Sequence, residues 1–335
     1  MKNIKDYIII SVNLSLFGES NTNTTVSEGL TEEMKIYYSD YLIDMAEPEL
    51  VHDQFGQKQP IPKNGGKTIQ FRKYSPLPKL TTPLEEGKTP DGQSLNMSIV
   101  EATVAQYGGY IELSDMLILT AIDNNLVQAT KLLGGQAGRT LDTITREVLA
   151  GGTNVQYAEG QVKARNSLVG GQETGNHYLT VNSIRMAVRT LKKMNAPRID
   201  NGYVAIIHPD CSYDLMSDPN WKYPHQYQDT TNIYEGEIGK IEGVRFVETS
   251  EAKIFEGEGA SSRDVYATLV LGDNAYGVTD IQGGGLQHIV KQLGSAGTAD
   301  PLNQRATAGW KATKTAVRLV DEYMVRIETC ASANN

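Results

Sequence analysis

The side chains that could do covalent or acid–base chemistry are few and scattered in this sequence of 335 residues. The densest group is His208-Pro209-Asp210-Cys211, which holds an imidazole, a carboxyl group and a thiol in one short segment. A Cys–His catalytic pair is assembled by the fold rather than by adjacency in sequence. Because Pro209-Asp210 is typical of the first turn of a helix, we interpret the segment as a helix start, not a catalytic site.

The paired carboxylates Glu85-Glu86 are the other candidate for acid–base work. They lie in a proline-rich stretch beside Lys88. A general acid needs burial to raise its pKa, whereas this setting favours solvation or an ion pair. We therefore predict a contact role for these two residues.

The glycine-rich segments and the histidines do not match the motifs of phosphate, dinucleotide or zinc sites. GGKT at 65–68 and GKT at 87–89 resemble the ends of phosphate-binding loops, but the first glycine of that motif is replaced by Ile61 and Thr82. The glycines at 283–285 lack the spacing of a dinucleotide-binding loop. The five histidines never recur at the i, i+4 spacing of a zinc face. We predict no enzymatic activity, no cofactor and no metal.

Bulk composition narrows the class of protein. A net charge of −9 and a pI near 5.2 argue against a dedicated nucleic-acid-binding protein, which needs a basic face. Two cysteines, Cys211 and Cys330, favour free thiols in a reducing compartment. The apolar run at 7–17 is weakly like a signal peptide, but Asp6 and Asn13 interrupt it, and it is too short to span a bilayer. We expect a structural N-terminal arm and no membrane association.

The most unusual segment is 56–93. It holds 6 of the 12 prolines and seven basic against three acidic side chains, a local charge of +4. Alternation predicts a strand at 67–74, with Ile69 and Phe71 on one face, and a second at 97–107. The connection at 75–96 is long for a compact domain. Because an isolated hairpin has no core to bury, we expect this one to lie on another subunit.

The remaining pattern predicts an α+β protein. An apolar stripe at spacings of three and four predicts a long helix over 123–150, capped by Asp123 or Asn124. For its glycines at 134, 135 and 138, a kink and a close backbone crossing both stay open. A short helix is expected at 34–45 and another after Thr180. Strands are expected at 203–207, 244–248, 265–271, 286–293, 309–317 and 319–328. Trp310 is expected to be a core or subunit-interface anchor.

Several long phrases carry a resemblance to a known family. They are FGQKQPIPKNGGKTIQFRKYSPL (55–77), TTPLEEGKTPDGQ (81–93), YIELSDML (110–117), GRTLDTITREVLAGGTNVQY (138–157), YVAIIHPD (203–210), IGKIEGVRFVET (238–249) and GWKATKTAVRLVDEYMVRIE (309–328). With the order of elements, they resemble the major capsid protein of tailed bacteriophages, which has the HK-97-like fold. The phrases are closest to the N-four-like podophages.

The resemblance implies that the chain is divided into five parts. They are an N-terminal arm at 1–50, an E-loop with flanking strands at 51–118, a spine helix with part of the P-domain at 119–165, an A-domain at 166–285, and closing P-domain strands at 286–335. It also implies a subunit that assembles in the host bacterial cytoplasm into hexamers and pentamers of an icosahedral head. That head encloses double-stranded DNA without sequence-specific binding. The candidate partners that the resemblance implies are portal and scaffold proteins and a decoration protein.

Charge and position select the residues expected at subunit contacts. They are Lys63, Lys67, Arg72, Lys73, Glu85, Glu86, Lys88 and Trp310. Two alternatives to the phage head stay open from sequence. One is an encapsulin-like compartment with the same fold, and the other is a secreted surface protein suggested by the start of the chain.

Overall fold

The computed structural model describes residues 42, 50–60, 67–74, 77–83, 86–89, 91–120, 125–158, 162–170, 177–221, 237–279, 286–295 and 300–332. Apart from Leu42, the helix expected at 34–45 lies outside these residues, and so does nearly all of the N-terminal arm expected at 1–50. So do Lys63, Glu85 and the proposed helix caps Asp123 and Asn124. Leu42 is described and is buried in the core.

Fifteen strands are present in the described part of the chain. They are β1 (Gln57–Gln59), β2 (Thr68–Tyr74), β3 (Met97–Thr103), β4 (Ala105–Ser114), β5 (Val155–Tyr157), β6 (Tyr203–Ile207), β7 (Glu237–Ile241), β8 (Val244–Glu248), β9 (Ile254–Phe255), β10 (Val265–Leu271), β11 (Tyr276–Thr279), β12 (Leu286–Lys291), β13 (Arg305–Lys314), β14 (Ala316–Arg318) and β15 (Met324–Thr329).

Four α-helices accompany them within the same residues. They are α1 (Asp115–Thr120), α2 (Asn125–Ala150), α3 (Val181–Lys193) and α4 (Pro209–Ser217). The long helix predicted at 123–150 is confirmed as α2, which ends before Gly151. It passes unbroken through its three glycines, and at Gly135 an added Cβ would meet no atom within 4 Å. A close backbone crossing therefore does not explain Gly135.

The start of α3 follows directly from its sequence. Thr180 has an extended backbone, and its side chain accepts a hydrogen bond from the Ser183 amide, which confirms the predicted cap. The apolar stripe of α3, including Ile184 and Leu191, is fully buried. Its other face points to solvent.

The largest sheet has the order β5-β15-β10-β6-β8-β7, with β9 paired to β10. Its central strands β6 and β10 are buried along their whole length, as expected of strands covered on both faces. Helices α3 and α4 pack on one face, where Phe246 and Ile327 lie among their apolar residues. On the other face lie Leu149 at the end of α2 and Tyr276 of β11.

A second, three-stranded sheet has the order β12-β13-β4. Its inner face packs on α2, where Leu133 and Leu141 meet Ala308 and Trp310. Strands β13 and β4 pair antiparallel along all ten residues of each, from Arg305 opposite Ser114 to Lys314 opposite Ala105. The chain then passes from β4 through α1 towards α2.

The strand predicted at 319–328 is wrong in its first half. Leu319 and Val320 lead instead into a 3-10 turn at Asp321–Tyr323, and β15 begins at Met324. Two hydrogen bonds explain the break, because the amides of Leu319 and Val320 both donate to the carbonyl of Ala275 rather than to a neighbouring strand. The preceding prediction at 309–317 is likewise divided between β13 and β14.

Candidate assembly surface

Strand β2, which lies in the segment singled out by its prolines and charge, forms an antiparallel hairpin with β3. Strands β2 and β3 pair from Thr68 opposite Thr103 to Tyr74 opposite Met97. We call residues 67–103, so far as the structure describes them, the arm. Strand β3 continues into β4 after Val104, whose amide donates to the carbonyl of Lys67 at 2.8 Å. The arm is therefore a direct extension of the three-stranded sheet.

The base of the arm packs on its own chain. Phe71 is 0% exposed, and with Ile69 and Ala102 it forms a small cluster that includes Leu319 and Val320. The Phe71 ring lies directly over Gly277 in β11, where an added Cβ would be 2.3 Å from its Cε1 atom. Any larger residue at 277 would displace the ring. The predicted inward face of β2 is confirmed, and its neighbour is the body of the same chain.

The distal part of the arm has no such cover. Every described residue from 77 to 99 is exposed. Five of them are large and apolar, namely Leu77, Leu80, Leu95, Met97 and Ile99, with Leu80 the most exposed at 79%. A concentration of large exposed apolar residues is typical of an interaction surface. The hairpin is thus anchored at one end and open along the rest.

Five of the charged residues predicted at subunit contacts lie on the described part of the arm. Lys67, Arg72, Glu86 and Lys88 are exposed and Lys73 is partly exposed. Across the two strands, Gln70 Nε2 donates a hydrogen bond to Glu101 Oε1 at 2.9 Å. The structure brings five of the eight predicted residues onto one projecting element.

Trp310 lies elsewhere, in the core of its own chain. It is only 4% exposed, and its indole Nε1 donates to Gln136 Oε1 on α2 at 3.0 Å. Of the two roles expected from sequence, the structure places it in the packed core. A contact of Trp310 with another subunit stays a prediction.

A buried polar cluster fixes the segment that precedes the arm, and sequence analysis missed it. The amide and Nδ1 of His52 bond to the two carboxylate oxygens of Asp142 on α2, at 2.7 and 2.6 Å. Asp53 forms an ion pair with Lys314 at the end of β13, and Thr145 donates to its other oxygen at 2.6 Å. These residues are far apart in sequence, so no local spacing reveals them.

Because its side chains are buried, this cluster holds the segment at 52–53 in place. The side chains of His52, Asp142 and Lys314 are 0% exposed. Tyr276 donates to the carbonyl of His52, and burial followed by the nearby carboxylates of Asp53 and Asp142 raises its pKa well above its ordinary value. Charges buried in this way are held only with good partners. The segment at 52–53, which precedes the arm in sequence, is therefore tied to α2, β11 and β13 at once.

The segment His208–Cys211 is not arranged for catalysis. His208 caps α4, where its Nδ1 accepts from the Asp210 amide at 3.2 Å, and Pro209 takes the first helical position as predicted. Cys211 is fully buried, and burial raises the pKa of its thiol. A protonated, inaccessible thiol is a poor nucleophile. Among the described residues, no group of three or more metal-binding side chains comes together, and no helix is long and apolar enough to cross a membrane.

Comparison of this architecture with solved structures defines the class of protein. The capsid of Ralstonia phage GP4 superposes with a TM-score of 0.63 and 15% identity, over 84% of this chain and 87% of that one. The capsid of cyanophage Pam1 gives 0.59 and 15%, over 86% and 93%. The SrpI encapsulin of Synechococcus elongatus gives 0.51 and 10%, over 83% and 86%. The α+β, HK-97-like capsid fold predicted from the sequence is confirmed.

The family follows from the sequence match. A family model described as phage capsid protein matches residues 52–294, well over half of the chain. The chain belongs to this family. No curated protein matches it.

Proposed function

We propose that this chain is the major capsid subunit of a tailed phage, and that its arm lies across a neighbouring copy in the shell. The observation that supports the proposal most directly is the division of the arm. Its base is packed on the body through Phe71, whereas the described residues from 77 to 99 are all exposed and include five large apolar side chains. Such a surface is expected to be covered in the assembled protein.

The free energy gained by burying the apolar residues of the arm has the size expected for a contact between shell subunits. Fully burying a leucine side chain contributes about 1.5–3 kcal/mol, so Leu77, Leu80 and Leu95 together supply several kcal/mol per contact. A single weak contact of about 4 kcal/mol corresponds to millimolar affinity. Several such contacts around one subunit act together and hold it in place.

Electrostatics supports the same arrangement. The described arm carries Lys67, Arg72, Lys73, Lys79 and Lys88, whereas the whole chain has a net charge of −9. A basic strap laid on an acidic neighbour replaces repulsion between like-charged copies with attraction, and it fixes the orientation of the contact.

The finer features of this assignment belong to the same proposal. They are assembly as hexamers and pentamers in the host cytoplasm, partnership with portal, scaffold and decoration proteins, and membership of the N-four-like podophage group. The division into N-terminal arm, E-loop, spine helix, A-domain and P-domain at the boundaries given above is part of it. In its support, the seven-stranded sheet takes most of its strands from 166–285.

Expression of the full chain followed by sedimentation and negative-stain microscopy tests the proposal. We expect capsomers or closed shells. A stable monomer at high concentration would refute the proposal. The encapsulin alternative predicts small particles loaded with protein rather than DNA-filled, tailed particles from infected cells. Its solved example superposes less well than the GP4 and Pam1 capsids do.

A further inference from the structure

Every charged residue on the solvent face of α3 is a cation. Arg185, Arg189, Lys192 and Lys193 are all exposed, and the helix sequence VNSIRMAVRTLKK contains no acidic residue. Arg198 is exposed just after the helix. We call these five residues the basic face. It stands out on a chain whose net charge is −9.

Among the described residues, four of these five charges have no counter-ion. Arg185 pairs with Glu242, with an Nη2–Oε1 distance of 2.8 Å. In the described part of the chain, the side chains of Arg189, Lys192, Lys193 and Arg198 form neither an ion pair nor a hydrogen bond. The negative end of the helix dipole favours Lys192 and Lys193 in the last turn. It does not account for Arg189 or Arg198.

The orientation of the basic face is fixed by the core. Val181, Ile184 and Leu191 on the opposite side of α3 are fully buried, so the helix cannot turn its cations inward. At the helical rise, Arg185, Arg189 and Lys192 span about 10 Å. One strand of DNA carries roughly three phosphates over that length.

We propose that the basic face of α3 binds the phosphate backbone of double-stranded DNA without reading its sequence. This inference rests on the proposed function, in which the subunit surrounds DNA. A protein partner would need an apolar centre to its contact. The face offers only Met186 and Met194, two turns apart. Phosphate binding needs cations alone, and a weak site suffices because every subunit of a shell repeats it.

Binding of a fluorescent 30-base-pair duplex to unassembled full-length subunits tests the inference. With about three to four phosphate contacts, affinity should fall roughly 40- to 150-fold between 50 and 200 mM salt. The triple variant Arg189→Gln, Lys192→Gln, Lys193→Gln should bind at least tenfold more weakly at 50 mM salt, and its salt dependence should flatten. These substitutions lie on the exposed face, so the fold should persist, which circular dichroism checks.

A matched control tests whether DNA binding depends on the basic face itself or only on the net charge of the chain. Lys131→Gln, Lys163→Gln, Lys311→Gln removes three exposed positive charges from other elements, and we expect its DNA affinity to stay within about threefold of the unmodified chain. Equal losses in the two variants would overturn the proposal. Equally tight binding of polyglutamate to the basic face would also overturn it, by assigning the face to an acidic protein. Shells formed normally by the α3 variant would show that the proposed function stands independently of this result.

Discussion

Replacing Phe71 with alanine should weaken the attachment of the arm to its own body. The ring is completely buried and rests on Gly277, Leu319 and Val320. Truncating a buried phenylalanine costs about 3–5 kcal/mol, and this small cluster has few other large side chains to refill the space. At about 1.4 kcal/mol per factor of ten, opening of the arm base should become roughly 10²- to 4 × 10³-fold more frequent.

Urea denaturation of unassembled subunits and hydrogen exchange at the amides of β2 and β3 measure the effect. We expect a clear loss of unfolding free energy and faster exchange in both strands, with central strands β6 and β10 retaining slow exchange. A loss below about 1 kcal/mol, with unchanged exchange in β2, would refute the interpretation of Phe71 as the anchor.

Ile99→Ala is the matched control on the same hairpin. Ile99 is 47% exposed and lies opposite Arg72 on β2. Its truncation should change subunit stability by less than about 1 kcal/mol. Assembly should weaken instead, because covering half of such a side chain contributes about 1 kcal/mol per contact, roughly a fivefold change in affinity. If Ile99→Ala destabilised the subunit as much as Phe71→Ala, the division of the arm into anchored and open parts would be wrong.

Three further predictions concern the buried ion pair, the charged arm and the thiols. Lys314→Met leaves Asp53 buried without its counter-ion and should lower the unfolding free energy by about 3–5 kcal/mol in urea denaturation. The double variant Lys314→Met, Asp53→Leu should regain much of this loss, because no buried charge is then left unpaired. Equal losses in the single and double variants would contradict this. Arg72→Glu with Lys73→Glu should leave the circular dichroism of the subunit unchanged but reduce particle yield in sedimentation, and an unchanged yield would contradict the role of the arm as a strap. Burial raises the pKa of Cys330 from 9.0 to about 11, so the folded thiol keeps its proton where the unfolded one loses it. This contribution to stability is complete below pH 9 and is lost as pH rises towards 11. Cys330→Ala should therefore reduce the fall in unfolding free energy that is measured between pH 9 and pH 11. A pH profile identical to that of the unmodified chain would contradict the raised pKa of Cys330.

Local periodicity was enough to predict the elements that bury one continuous stripe. The α2 helix, the Thr180-capped α3 and the strands β6, β8 and β10 follow from spacing, caps and apolar runs, because each of these signals lies within a few neighbouring residues. The inward face of β2 at Ile69 and Phe71 was predicted on the same basis.

What sequence could not supply depends on contacts between distant residues. The link from His52 and Asp53 to α2 and β13 joins positions about ninety and more than two hundred residues apart, and no local pattern encodes such pairs. The break at Leu319 arises from backbone bonds to Ala275 that override a good apolar alternation. The surface on which Phe71 packs could not be predicted from the sequence either, because it is formed by a glycine, Gly277, in the short strand β11.

The unbroken path from β3 into β4 determines how a pull on the hairpin reaches the rest of the molecule. Because β4 lies antiparallel to β13 along ten residues, tension directed along the strand loads their ladder of hydrogen bonds in shear, with many bonds resisting together. A hairpin joined at right angles to its sheet would instead peel away one bond at a time. The geometry suits a container wall that must withstand pressure from its contents.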